Sequence, residues 1–254
     1  MTTALAALLT AATAAEAPLF NEGNVAYLAG DPGRAISSYE ALLAEGIASP
    51  ELETNLGAAY LRQGKRGLAA LHFERALVLA PGDDDARHDL GELRRTNVDK
   101  LEGADEQGPA EILARALAPL PGSVAALVLI AAWSLAWALF ALAVARPARL
   151  LGAPLGTAAL GCLLLSIICA AVSAGSAIGR GLALRRAVIV AQAAAAHEGP
   201  SAKSKSPFEV HEGTAVSVEE TLAGFSRIKL ANGLTGWVEA SALEKVVPQS
   251  WRAD

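Results

Sequence analysis

The sequence predicts a multi-domain chain: an α-helical repeat solenoid, a two-helix transmembrane hairpin and a C-terminal all-β barrel. Three observations carry this expectation. Glycines recur at a 34-residue interval, at Gly23, Gly57 and Gly91. Two long stretches, 122–145 and 150–179, hold no charged residue. From Ala187 onward, apolar residues alternate with polar ones.

Composition points the same way. At 53% hydrophobic and 19% charged, 254 residues are too apolar for one water-exposed domain, so part of the chain is expected in lipid. The net charge of −5 is unevenly placed: 15 acidic and 9 basic side chains in 17–105, 2 and 6 in 106–186, 8 and 6 in 187–254. Acidic ends around an arginine-flanked apolar middle lack the clustered basic face that nucleic-acid binding needs.

Taken in order, Ala4 to Ala15 is a short apolar run ending at Ala15-Glu16-Ala17. That is the form of a secretory segment with an A-x-A cleavage site, so residues 1–17 read as a signal peptide. Its start, Met1-Thr2-Thr3, departs from the usual form in lacking Lys or Arg.

The 34-residue interval extends beyond the glycines. Gly30 maps onto Gly64, Ala35 onto Ala69, Tyr39 onto Phe73, and Leu56-Gly57 onto Leu90-Gly91. A period of 34 with two helices per unit is the tetratricopeptide (TPR) signature. The second unit carries it most fully, in Leu56, Gly57, Tyr60, Gly64, Ala69, Phe73, Ala76 and Pro81. Small residues at Gly57 and Ala69 let antiparallel helices approach, Tyr60, Phe73 and Leu77 fill the space between them, Gly64 turns the chain and Pro81 stops the second helix. Two repeats and a polar capping helix, Asp84 to Asp99, give a TPR domain over 18–100.

Residues 101–121 read as a linker with a short juxtamembrane helix, in which Glu111 and Arg115 lie at i,i+4. The charge-free run 122–145 is long enough to cross a hydrocarbon core of about 30 Å. Arg146-Pro147-Ala148-Arg149 separates it from a second run, 150–179. So short a loop makes the two an antiparallel hairpin and leaves both flanking domains on one side. Arg146 and Arg149 favour a cytoplasmic loop, Arg180, Arg185 and Arg186 pull the other way, and the signal-like start decides for extracytoplasmic domains on a bacterial inner membrane. Trp133, Trp137 and Phe140 form an i, i+4, i+7 ridge available for packing. Cys162 and Cys169 stand roughly 10 Å apart on a helix, too far for a mutual disulfide, and read as small packing residues.

In the C-terminal part Val188 and Val190, Val216 and Val218, and Ile228 and Leu230 alternate, and Asn232-Gly233 suggests a tight primed hairpin turn. The first strand Ala187-Val188-Ile189-Val190, the segment Val210-His211-Glu212-Gly213-Thr214, and Ile228-Lys229-Leu230-Ala231-Asn232-Gly233-Leu234-Thr235-Gly236-Trp237-Val238 resemble the bacterial SH3 (SH3b) family. The resemblance covers 187–247 and implies an SH3-like barrel with a ligand face including Phe225 and Trp237. Phe225 replaces a common Trp, and the region of His197 lacks a common Arg, which thins the family's groove. Trp237 has two readings: a core aromatic beside the tight bend at Gly236, or a surface for ligand stacking.

No catalytic pattern emerges. His72, His88, His197 and His211 form no ligand pair, and neither a phosphate loop nor a G-x-S-x-G nucleophile motif occurs. The expectation is a protein that is not an enzyme and uses no cofactor or metal. Asp83-Asp84-Asp85 reads as a helix N-cap with dipole stabilisation. Asn24 and Asn55 fall at two positions of a TPR peptide clamp, while Phe20, Asp85 and Asp89 stand where such clamps place cations. A groove so lined suits a basic or apolar segment rather than a carboxylate.

The order of domains, with Gly23-Asn24, Tyr27 and Gly30-Asp31, then Asn55 to Gly64, then Phe73-Glu74-Arg75-Ala76-Leu77-Val78-Leu79-Ala80-Pro81-Gly82-Asp83-Asp84-Asp85-Ala86, is similar to the BatE family, the TPR branch of the Bat (aerotolerance operon) proteins. The resemblance implies a membrane-anchored scaffold in an envelope complex with von Willebrand A-domain Bat proteins and a MoxR-type AAA+ ATPase, serving stress tolerance. The alternative is an envelope sensor or anchor whose SH3b domain binds cell-wall peptide (peptidoglycan).

Overall fold

The structure, a computed structural model, describes residues 18–99, 122–145, 161, 164–168, 170–171 and 181–252. The expected signal peptide (1–17), the linker 101–121, the loop 146–149 and both cysteines lie outside the described residues. The chain divides into two compact units, Met1–Glu106 with Ala183–Asp254, and Gln107–Leu182.

In the first unit five helices come in order: α1 at 18–28, α2 at Pro32–Ala44, α3 at Pro50–Arg62, α4 at Arg66–Leu79 and α5 at Asp84–Arg95. Their starts follow from local chemistry. Asp31 accepts from the Arg34 N–H at 3.0 Å and Ser49 from the Leu52 N–H at 3.1 Å, with Pro32 and Pro50 in the first turn where a missing N–H is harmless. Asp83 caps α5 through the N–H groups of Asp85 and Ala86 at 3.0 and 3.1 Å.

Two close approaches define the helix hairpins. A Cβ at Gly23 would lie 2.3 Å from the Tyr39 ring, and one at Gly57 would lie 2.8 Å from the Phe73 ring. Gly91, next in the 34-residue series, meets nothing within 4 Å. Among the described residues, none stands against Gly91 as Tyr39 and Phe73 stand against Gly23 and Gly57.

The strands are β1 Arg186–Ile189, β2 Ala193–Ala196, β3 Phe208–His211, β4 Ala215–Leu222, β5 Phe225–Lys229, β6 Thr235–Glu239 and β7 Leu243–Lys245. They form a five-stranded antiparallel sheet, β6-β5-β4-β1-β7, and a two-stranded sheet, β2-β3. One isolated bridge, His197 to Trp237, joins the two. The expected primed turn at Asn232-Gly233 is a longer loop: Leu230 and Leu234 pair through the Leu230 N–H at 2.9 Å, and Gly233 alone takes positive φ. The two-residue turn with both central residues at positive φ lies instead at Ala223-Gly224, between the paired Leu222 and Phe225.

The predicted fold class is therefore corrected. Helices and strands do not form a free solenoid beside a separate barrel. Val188 and Val246 belong to the helical core with Leu52, Leu56, Leu71 and Phe73, so strands complete the helical layer. A solenoid contacts only neighbouring repeats, whereas here α4 is enclosed by α3, α5 and β1. The β part is two antiparallel sheets joined at one bridge, not a closed barrel.

The transmembrane hairpin, and the inner-membrane placement that rested on it, are corrected as well: among the described residues no helix is long and apolar enough to cross a membrane. In the second unit the first expected span is a helix, α6 at Gly122–Ala145. Its side chains are described without interruption only over 130–138, and the second expected span only at 161, 164–168 and 170–171. A charge-free run fixes composition; it does not fix two continuous antiparallel helices. Within α6, Ala132 and Ala136 are buried, Trp133 and Trp137 meet edge to face at 6.2 Å, and the Phe140 side chain lies outside the description.

Candidate functional site

Two surfaces of the first unit gather the residues that the sequence singles out. On the helical face, the clamp asparagines come together. Asn55 Nδ2 donates to Asn24 Oδ1 at 3.1 Å, and the Tyr39 hydroxyl donates to the same oxygen at 2.7 Å. Burial raises the Tyr39 pKa above its ordinary value, which already leaves the phenol protonated at neutral pH. With Asn24 Oδ1 twice engaged, Asn24 Nδ2 and Asn55 Oδ1 have no partner among the described residues. They line a shallow pocket of about 330 Å³ with Tyr27, Leu28 and Tyr39. An amide donor and an amide acceptor side by side match the groups of one extended peptide unit.

The rim of this pocket carries a residue that sequence reading missed. The Arg62 guanidinium lies 3.8 Å from the centroid of the Tyr27 ring and donates to the Tyr27 carbonyl at 2.9 Å. Arg62 follows Tyr27 by 35 residues, so the 34-residue equivalence aligns it with Leu28 and hides the contact. Leu28 itself is 81% exposed and Val25 66%, an apolar margin on α1.

Asp85 and Asp89 are not in this pocket. Asp85 is exposed in the first turn of α5, and Asp89 is half-buried one turn further on. Burial pushes the Asp89 carboxyl up; His88 opposes this, and the carboxylates of Asp85 and Asp83 add to it. The link back to α3 is Asp83, whose side chain accepts from Thr54 Oγ1 at 3.4 Å, next to Asn55 in sequence. The acidic group thus borders the amide pair along α3 and does not line it.

On the strand side, Phe225 and Trp237 share the outer face of the five-stranded sheet. Arg227 pairs directly with Trp237, and Phe225 with Glu239, while the intervening Ser226, Ile228, Gly236 and Val238 are buried. Trp237 is therefore half-exposed on the surface and not in the core. Gly236 makes the tight approach: a Cβ there would lie 2.9 Å from the Ala196 Cβ. His197 completes the patch. Its backbone exchanges two hydrogen bonds with Trp237, at 2.7 and 2.8 Å, and its ring meets Phe225 edge to face at 6.0 Å.

The remaining histidines have structural partners or none that suggest chemistry. His72 is buried, with Nδ1 2.6 Å from Glu53 Oε2 and its ring stacked on Tyr60 at 5.3 Å. His211 Nδ1 meets Asp99 at 2.9 Å. Among the described residues no group of three His, Cys, Asp or Glu could hold a metal ion. No protein-family model matches this chain, and no curated protein matches it.

Proposed function

We propose that this chain is a protein–protein interaction scaffold whose helical face holds a segment of a partner protein. The observation that supports it is the Asn24–Asn55 amide pair, held by Tyr39 and opening an unused donor and an unused acceptor into a pocket flanked by Tyr27 and Leu28. Amides placed this way bind backbone and not a particular side chain, so specificity comes from the margins. Arg62 supplies one cation, and Asp85 and Asp89 supply acid further along, so a partner segment with an apolar centre and a basic end fits best. The resemblance to Bat proteins makes von Willebrand A-domain proteins and a MoxR-type ATPase the first candidates.

A photo-crosslinking residue placed at Leu28 in the full chain tests this in cells. A discrete adduct that disappears with the pair Asn24→Ala and Asn55→Ala, in protein of unchanged circular dichroism, is the expected result. An adduct pattern indifferent to both substitutions removes the helical-face reading.

The outward face of Trp237 and Phe225 supports a second reading, in which the strand module stacks on a cell-wall peptide. Here the purified chain sediments with peptidoglycan and Trp237→Ala abolishes it; no sedimentation of the unaltered chain removes this reading.

A further inference from the structure

The helical layer, 18–99, and the strands from Arg186 onward are separated in sequence by 100–185, yet they meet in several close contacts. At the start of α4, a Cβ on Gly67 would lie 2.8 Å from the Ile189 carbonyl oxygen and 2.8 Å from the Val190 Cα. The Gly67 N–H donates to Glu212 at 3.1 Å. Arg75, only 8% exposed, spends its guanidinium on the C-terminal strand: Nε on the Val246 carbonyl at 3.1 Å, Nη2 on Glu244 at 2.7 Å and on the Lys245 carbonyl at 3.3 Å. Glu74, 1% exposed, gives one carboxylate oxygen to Arg94 of α5 and the other to Arg186 of β1. None of these contacts uses a residue of 100–185.

The two ends of that intervening segment are neighbours. Asp99 accepts from the His211 N–H at 2.7 Å and from the Thr214 hydroxyl at 2.9 Å, and the Thr214 carbonyl accepts from Ile189, the last residue of β1. The chain re-enters the unit at Ala183, and β1 begins at Arg186. Three residues of strand place Arg186 about 10 Å from Ile189.

We infer that the α4–α5 face recognises residues 186–247 as an intramolecular ligand, and that this recognition is independent of residues 100–185. The interface is shape-specific at Gly67 and charge-specific at the buried Glu74 and Arg75, which are the properties of a docking surface and not of a tether. The same face accepts the strands of a second copy whenever its own cannot reach.

Two measurements test this. In the full chain, Gly67→Leu should raise amide exchange in β1 and β7 at least tenfold while the α1–α2 hairpin keeps its protection. Unchanged exchange in β1 and β7 overturns the inference. In a second chain a twelve-residue Gly-Ser linker replaces 100–184; its root-mean-square span of roughly 19 Å covers the gap. Light scattering should find a monomer with the β1 and α4 protection of the full chain. Joining Asp99 directly to Arg186, which holds their Cα atoms about 3.8 Å apart, should convert it to a dimer that exchanges strands. A twelve-residue chain whose strands exchange freely also overturns the inference.

Discussion

Helices α4 and α5 lie side by side and follow opposite rules. α5 is polar on one side and apolar on the other, with only Ala86, Leu90 and Leu93 buried, so it covers the layer and meets solvent. α4 buries residues around its whole circumference, including His72, Glu74 and Arg75. It shows no amphipathic period because α3 covers one side and β1 another. A helix so enclosed needs its charges matched by its neighbours: His72 meets Glu53 of α3, Glu74 meets Arg94 and Arg186, and Arg75 meets Glu244. The difference teaches that a helix covered on several sides loses the periodicity that a helix covered on one side keeps.

The largest way to break the comparison is Glu74→Ala, which removes the buried carboxylate that Arg94 and Arg186 share. It should cost about 1.5–3 kcal/mol in urea unfolding. The matching change on α5, Glu92→Ala, removes an exposed pair with Arg95 and should cost under about 0.5 kcal/mol. Equal costs would mean that α4 is not enclosed. Next in size is Asp83→Ala, which strips the cap from α5 and should cost about 1 kcal/mol, whereas α4, with no side-chain cap, has nothing of the kind to lose.

Ala223 stands at φ 52°, a left-handed conformation that costs an alanine roughly 1 kcal/mol. Ala223→Gly should therefore raise the midpoint of urea unfolding; a lower midpoint would show that the turn tolerates alanine at no cost.

The smallest expected effects are in pH dependence, and they differ in sign. Burial alone would raise Asp99, but hydrogen bonds from the His211 N–H and ring and from Thr214 hold it below the ordinary carboxylate range. Its contribution to stability is complete above the unfolded value near 3.9 and fades as pH falls through the lower folded value. Asp89 is raised, so its charged form opposes folding at neutral pH, and that penalty eases as pH falls through its folded pKa. Asp99→Asn should flatten the loss of stability as pH falls below about 4. Asp89→Asn should give a small gain at pH 7 that vanishes near pH 3. Unchanged pH profiles in both variants would remove these assignments.

Much of the helical layer was legible because its signals are local. Gly64 and Asp83 stand at a turn and a cap whose chemistry acts within four residues. Gly57 and Phe73 were readable because a close approach demands one small and one large partner. The docking of the strands on α4 was not legible, since a covered helix and a featureless one have the same pattern. Arg62 escaped because its partner, Tyr27, lies one residue off the repeat interval. Trp237 had two readings until the register with Arg227 placed it outward; alternation alone does not say which face of a strand is wet. The expected membrane hairpin came from composition, which counts apolar residues without saying how they continue.

The discontinuity of the first unit has a consequence for the order of synthesis. Leu79 ends α4 long before Val246 is made, and at about 5–20 residues per second the wait is on the order of 10–30 s. Throughout that interval Glu74 and Arg75 lack their strand partners, and the flank of α4 around Gly67 stands open. A nascent chain of this protein therefore presents an unfinished helical sheet to its surroundings, and chaperones that shield such surfaces have their work with the front third of the molecule.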